Sequence, residues 1–458
     1  MTIPYTERTL ALVLRLLEEE HRDEALAIIA SLLPADKAAL FDALDPQVQE
    51  QLLPHVGPDD VADILEELHD DDAAALAESL DAEALVQALD EMEPDEAADL
   101  LGDLEPLLRL QALEGMAAAD EVRPLLRYPD DSAGGLMTSD YYVFAETERV
   151  GQVFRRMRSE APRDEEIPYI YAVDEQGRLT GVARLADLIR AHPEQPLRAI
   201  ADPDMIRVSV EADQETAARL LQRYDLMALP VVDTAGRLVG VMSADDAMAA
   251  LEEEASEDIY LASGIVSLRG QEAARSDLLV RGPIWRTWRV RAPFLLLTML
   301  GGLVAGLVIH SYEEALEAVI VLAMFIPVVM TMGGNAGAQS TEIFIRGHAL
   351  GQIETRRFLR YLLRELVIGL GMGIVLGALA GIIAGIWQGM PELGLVVGLS
   401  LVCTMGLAAS LGFLIPYGLV KLGADPAAGA SPFITTIIDM TGVLVYFLLA
   451  IEFLGHLL

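Results

Sequence analysis

Residues 327–344 read PVVMTMGGNAGAQSTEIF. Two adjacent glycines, an asparagine, a glutamine, a serine, a threonine and Glu342 interrupt what is otherwise a long apolar run. In hydrocarbon an unpaired polar group is costly, so polar residues here predict either close protein packing or a water-filled path. The Gly333-Gly334 pair reads as a break in a membrane helix. Small residues would also let helices approach closely, but packing alone gives no reason for Asn335, Gln339, Ser340 and Thr341 to arrive together. Glu342 and Arg346, one turn apart, read as an ion pair near the end of the span.

Working outward, five apolar stretches occupy about 293–309, 315–345, 358–387, 393–421 and 432–454. Each is long enough to cross a hydrocarbon core of about 30 Å as a helix. Arg286, Arg289 and Arg291 precede the first; Arg346, Arg356, Arg357, Arg360 and Arg364 join the second to the third; Lys421 follows the fourth. The other connections, HSYEEALE and QGMPELG, hold no lysine or arginine. The positive-inside rule therefore places the N-terminal half in the cytosol and the C-terminus outside.

The last stretch carries a second anomaly, SPFITTIIDMTGVLVYFLLA at 431–450. Asp439 sits in its middle with Thr435 and Thr436 before it and Thr441 and Gly442 after it. An intramembrane carboxylate costs about 2.5–3.5 kcal/mol even on the lenient insertion scale, and it marks a functional position by default. With lysine and arginine confined to the ends of the spans, Asp439 predicts a cation path. One aspartate is little charge for a divalent ion, and a two-fold homodimer would place two on its axis. Magnesium is held by one or two carboxylates with most of its waters retained, so Asp439 with Thr435, Asn335 and backbone carbonyls suits hydrated Mg2+. No histidine or cysteine cluster favours zinc or copper.

Composition divides the chain in two. Of 71 acidic and 32 basic residues, ten of each follow residue 280, so the net charge of −39 lies entirely in residues 1–280. Such a field repels nucleic acid and anionic lipid and attracts divalent cations. The single cysteine, Cys403, excludes a disulfide framework within the chain. The N-terminus, MTIPYTERTLALVLRLLEEE, is not expected to be a signal peptide. No Walker-type loop, nucleophile with its base or metal-binding histidine pair stands out, and no enzyme is expected.

Within the acidic half, Pro34, Pro46, Pro58, Pro94 and Pro106 fall on a 12-residue grid whose vacant places are 70 and 82. Each unit reads as a proline or acidic helix start followed by two to three helical turns, the pattern of a small superhelical solenoid over residues 1–130. Asp70, Asp71, Asp72, Asp95, Glu96 and Asp99 cluster at or near these starts, where capping and the helix dipole also favour acids. Next, YIYAVDEQGRLTGVARLADLI at 169–189 returns 59 residues later as ALPVVDTAGRLVGVMSADDAM at 228–248. Asp174, Gly177, Gly181 and Asp187 match Asp233, Gly236, Gly240 and Asp246. Each copy is a strand, an Asp-x-x-Gly hairpin, a second strand and a helix. ADDAMAALEEEASEDIYLASG at 244–264 then reads as a long acidic helix leading to the membrane part, its carboxylates repelling one another unless cations intervene.

The repeated unit resembles a tandem pair of cystathionine-β-synthase (CBS) domains, at 131–195 and 196–251. That resemblance implies a regulatory α/β module able to hold an adenine nucleotide such as ATP. Its Gly-x-x-Ser/Thr-x-x-Asp pattern is present as Gly240, Ser243 and Asp246, and fails in the first copy, where Arg184 replaces the hydroxyl. The whole chain resembles the MgtE family of magnesium channels: an acidic all-α N-domain, paired CBS domains, a connecting plug helix at 252–280 and a five-span membrane domain at 281–458. The resemblance implies a homodimer in the cytoplasmic membrane, with a pore lined by the second and fifth spans and Mg2+ held at Asp439. It further implies that cytosolic Mg2+ closes the pore through Asp95 and Asp99 in the N-domain, Glu215, Asp225 and Asp246 in the CBS region, and Glu254, Glu257 and Asp258 in the plug helix. The chain departs from the family at Ala338, Ser431 and Ala249, where an asparagine, an asparagine and a further sensing acid are expected. A coupled carrier, such as a Na+/Mg2+ exchanger using the same Asp439, is the alternative.

Overall fold

The computed structural model describes residues 7–19, 21–159, 169–265, 279–280, 282–427 and 430–455. Two compact units divide after Glu254.

The first unit opens with α1 (Glu7–Glu18), α2 (Arg22–Ile29), α3 (Pro34–Asp42), α4 (Pro46–Leu52), α5 (Pro58–Glu67), α6 (Asp70–Ser79), α7 (Ala82–Glu91), α8 (Pro94–Asp103), α9 (Pro106–Gly115) and α10 (Ala119–Val122). From α2 to α9 every helix starts on the 12-residue grid, including positions 70 and 82, which have no proline. Proline fits the first helical turn because that N–H has no partner there in any case; at 82 the same start is made by Asp81, whose side chain accepts from Ala84 N at 2.8 Å. Odd helices pack on odd and even on even, α3 on α5 on α7 on α9 beside α4 on α6 on α8. Two carboxylates repeat this spacing. Glu66 accepts from Glu93 N at 2.8 Å, and 24 residues later Asp90 accepts from Ala117 N at 3.1 Å and Ala118 N at 3.0 Å.

The CBS pair follows with two three-stranded sheets. β1 (Tyr142–Ala145) runs parallel to β2 (Tyr169–Val173), which pairs antiparallel with β3 (Leu179–Arg184). β4 (Val208–Ser209), β5 (Ala228–Val232) and β6 (Leu238–Ser243) repeat that topology. Both hairpins close alike: Asp174 Oδ1 accepts from Gln176 N and Arg178 N at 2.8 and 2.9 Å, and Asp233 Oδ1 from Ala235 N and Arg237 N at 2.9 Å each. Gly177 and Gly236 adopt φ of +76° and +79°, open to glycine at little strain. Helices α11 (Val150–Met157), α12 (Leu185–Arg190), α13 (Gln214–Tyr224) and α14 (Ala244–Ala262) complete the pair. Of the plug helix expected at 252–280, residues 252–262 are the C-terminal part of α14, which begins directly after β6 and ends at Ala262; residues 266–278 and 281 lie outside the described residues.

The second unit holds α15 (Ile284–His310), α16 (Glu313–Ala318), α17 (Ile326–Ala349), α18 (Phe358–Gln388), α19 (Pro391–Lys421) and α20 (Ala430–Leu454). Five spans, with 3-10 residues 320–324 leading into α17, are long and apolar enough to cross a membrane. α18 and α19 touch backbone to backbone through glycine. A Cβ on Gly377 or Gly381 would stand 2.5 Å from the carbonyl oxygen of Gly398 or Gly394, the close approach that small residues permit where burial in lipid offers no hydrophobic driving force. Gly371, on the same helix, has nothing within 4 Å of that position.

Gly381→Ala should therefore lower the thermal stability of the membrane unit, by about 1–3 kcal/mol as for other overpacked positions. Gly371→Ala should be neutral or slightly stabilising. Thermal unfolding in detergent compares the two, and equal effects would refute the close-packed seam.

Candidate functional site

The helix α17 runs unbroken through Gly333-Gly334, which corrects the expected break. Irregular backbone lies earlier, at Val319, where φ and ψ are −133° and 74°, and at 320–324. The two glycines serve packing and access instead. A Cβ on Gly333 would meet Thr404 Cγ2 at 2.6 Å and Ile438 Cγ2 at 3.1 Å, so α17 lies tight against α19 and α20. On Gly334 it would lie 3.7 Å from Asp439 Oδ1 and 3.9 Å from Thr435 Cγ2, so the bare backbone of α17 faces the carboxylate.

Asn335 and Gln339, four residues apart, sit exposed on α17, while Asp439 and Thr435 are half-buried on α20. Thr435 and Thr436 donate to Pro432 O at 3.0 and 2.8 Å, and Thr441 donates to Ile437 O at 2.7 Å. These hydroxyl protons are turned into the helix, which leaves oxygen lone pairs as what the side chains can offer a cation. No ion pair joins Glu342 to Arg346 among the described residues; the expected pairing is not made. Glu365, on α18, escaped the sequence reading: it is 7% exposed and accepts from Ser340 Oγ at 2.8 Å. An acid within an apolar stretch was the available signal, masked by Arg364 beside it at the helix start.

In the first unit, α8 presents Asp95, Glu96 and Asp99 on its first two turns. Asp95 is 5% exposed, accepts a hydrogen bond from the Thr138 hydroxyl, and keeps Oδ1 without a partner. Thr138 pairs with Val241 of β6, its N–H donating to Val241 O at 2.8 Å. That bridge sets α8 beside the start of α14, where Asp246 stands. Burial first, then the charges of Asp246 and Glu93, hold the Asp95 carboxyl well above its usual range. Burial and then Asp95, Asp99, Asp246 and Glu66 do the same to Glu96. Burial and then Asp130, Asp70, Asp103 and Asp246 do so to Asp99. The arrangement thus unites Asp95, Asp99 and Asp246, and adds Glu96 to the predicted set.

The other predicted acids stand elsewhere. Glu215 pairs with Arg219 on α13, and its neighbour Gln214 donates to Glu254 Oε1 at 2.8 Å. Asp225 is the C-cap of α13 at φ +54°. Glu257 and Asp258 are half-buried on α14 in the second unit. Ser243 and Asp246 cap α14 reciprocally: Asp246 N donates to Ser243 Oγ at 3.2 Å, Ser243 N donates to Asp246 Oδ2 at 3.3 Å, and the Ser243 hydroxyl also donates to that oxygen. A Cβ on Gly240 would collide with Met137. No group of three or more His, Cys, Asp or Glu converges tightly enough to hold a bare metal ion among the described residues.

The model of the MgtE divalent cation transporter family matches residues 326–449, the MgtE intracellular N domain matches 8–84 and 32–131, and CBS domains match 133–194 and 197–253. A protein named magnesium transporter MgtE from Thermus thermophilus is 38% identical over 340 residues, 74% of this chain and 73% of its own length. The chain belongs to the MgtE family. Another MgtE, from Bacillus subtilis, is 33% identical over 349 residues, 75% of each chain. A crystal structure of the cytosolic domain of the Mg2+ channel MgtE in complex with ATP, 34% identical, superposes with a TM-score of 0.50 over 52% of this chain and 99% of that one. The α8 acids and Asp246 of this MgtE member fall within the segments matched by its N-domain and second CBS models.

Carboxyls held above their usual range bind protons more tightly folded than unfolded. Stability in EDTA should therefore fall as pH rises from about 4, the unfolded carboxylate value, through the raised folded values. Asp95→Asn should raise the melting temperature at pH 7.5 by a few degrees and flatten its decline with pH. An unchanged slope in full-length protein would show that Asp95 does not carry the effect.

Proposed function

We propose that the chain is a Mg2+-selective channel that admits Mg2+ across the cytoplasmic membrane and closes when Mg2+ binds its acidic N-terminal half. The observation that carries this reading is Asp439 facing the bare backbone of Gly334. A hydrated Mg2+ is larger than the bare ion, and it needs acceptor oxygens with room for its waters rather than a tight cage. Asp439, Thr435 and Asn335 supply such oxygens on the second and fifth spans. A two-fold dimer would bring two Asp439 carboxylates to one axis, doubling the charge the ion meets.

Regulation rests on the opposite imbalance. Asp95, Asp99 and Asp246, joined by Glu96, are acids forced together so that each raises the cost of charging the next, and a divalent ion with its waters relieves their repulsion. Glu215, Asp225, Glu254, Glu257 and Asp258 are further ion-binding carboxylates, the last three on α14. Mg2+ would thus stabilise the closed state by differential binding, the only way a ligand shifts such an equilibrium. ATP is proposed as a second regulator, supported by the ATP complex of the related cytosolic domain. Gly240, Ser243 and Asp246 are its candidate contacts, and the Ser243–Asp246 cap would have to share its oxygens with the nucleotide. The distribution of basic residues supports an orientation with the acidic half in the cytosol and the C-terminus outside.

Mg2+ entry into proteoliposomes loaded with a fluorescent indicator should need no sodium gradient and should vanish in Asp439→Ala. Flux that tracks the sodium gradient would favour a coupled carrier, and flux persisting in the mutant would remove Asp439 from the path. In patch recordings, neutralising Glu254, Glu257 and Asp258 together should leave conduction intact and weaken inhibition by Mg2+ on the cytosolic face. Inhibition of unaltered strength would exclude them from gating.

A further inference from the structure

The first turns of α15 read IWRTWRVRAPF, residues 284–294, and hold two of the chain's three tryptophans. Val290 is fully buried, whereas Ile284, Trp285 and Trp288 are 73, 64 and 66% exposed. At 100° per residue, the face opposite Val290 carries Trp285 and Trp288 and continues as Leu295, Leu296, Met299 and Leu303, all more than half exposed. That lower stripe lies in a membrane-crossing helix and faces hydrocarbon. Its upper end is therefore aromatic surface at the depth where a bilayer changes from acyl chain to headgroup.

Arginines flank the tryptophans. Arg289 lies over the Trp285 ring, 5.1 Å from its centre, which holds the guanidinium at the level of the ring. Arg286, Arg289 and Arg291 are exposed, and no ion pair engages them among the described residues. By the order of the spans, Arg346, Arg356, Arg357, Arg360, Arg364 and Lys421 stand at the same end of the membrane unit. Of these only Arg357 has an acid, Glu354, at 3.2 Å among the described residues. A cationic collar interleaved with indoles is complementary to an anionic leaflet, and a soluble protein partner would not explain why the patch runs on into the hydrocarbon-facing stripe.

We propose that the first turns of α15 bind anionic phospholipid headgroups, the Trp285 and Trp288 rings seated among them and the Arg286 and Arg289 guanidiniums on their phosphates. The acidic half of the chain, which carries the whole net charge of −39, repels such a leaflet, so this collar is the part of the molecule that draws the lipid in. α15 packs on α20, where a Cβ at Gly301 would overlap Thr436, so a lipid held here bears on the helix that carries Asp439. The binding itself is independent of what the protein conducts.

The test uses full-length Trp387→Phe protein, in which Trp285 and Trp288 are the remaining tryptophans, reconstituted in phosphatidylcholine with either brominated phosphatidylglycerol or brominated phosphatidylcholine. Tryptophan quenching should show the anionic lipid preferred by about fivefold or more, the worth of one arginine at a charged surface. Arg286→Gln with Arg289→Gln should bring the ratio near one, and the corresponding lysine pair should retain most of it. In the arginine protein about 0.5 M NaCl should erase the preference by screening, a reading that needs no further variant. Equal quenching by the two lipids, or a preference unchanged by the glutamine pair or by salt, would overturn the proposal. Trypsin access to the acidic half in the same vesicles reads orientation separately, since both leaflets carry the same lipid.

Discussion

Negative charge in excess of its counter-cations is the constraint on which this structure turns. In low-dielectric surroundings a carboxylate must find N–H donors, a cationic side chain, a proton or an ion. The molecule uses the first two wherever an acid is structural: Glu66 and Asp90 cap backbone N–H groups, and buried Lys37 lies between Asp60 and Asp63. A different solution is needed at Asp95, whose Oδ1 has no partner, and at Asp439, which looks onto a glycine. Sorting the acids this way separates those that the fold compensates from those that it leaves with an oxygen unanswered or facing bare backbone.

The last helix gathers the constraints of the membrane unit. Tyr446 is fully buried and donates to Leu322 O at 2.9 Å, tying α20 to the irregular lead-in of the second span. Toward the other end, Gly264 at φ +77° follows α14, and a Cβ there would stand 2.7 Å from Pro432 Cγ. Pro432 O is the acceptor for both Thr435 and Thr436. A shift of Pro432 therefore reaches the threonines one turn before Asp439.

Much of this was legible because physical periods are short and local. The proline grid located helix starts even at 70 and 82, where proline is absent, and the 59-residue repeat carried both hairpins with their aspartates and αL glycines. The continuity of α17 was not legible, because two adjacent glycines lower helix propensity, while the packing on Thr404 and Ile438 that overrides it comes from distant spans. Glu365 was hidden for a similar reason: an acid beside Arg364 looks solvated until Ser340 from another helix is seen against it. The union of Asp95, Asp99 and Asp246 needed the Thr138–Val241 bridge, a contact between distant parts of the chain that no spacing reveals.

The N-terminal helices have one further consequence. Their sequence repeats every 12 residues, yet the packing alternates between two layers, and the Glu66 and Asp90 caps recur after 24. The structural repeat is thus twice the sequence repeat. Removing one 12-residue unit would move every later helix into the opposite layer and, where it falls between an acid and the N–H groups it caps, would part them, whereas losing or gaining 24 keeps the alternation. Length change in this half is therefore quantised in pairs of helices.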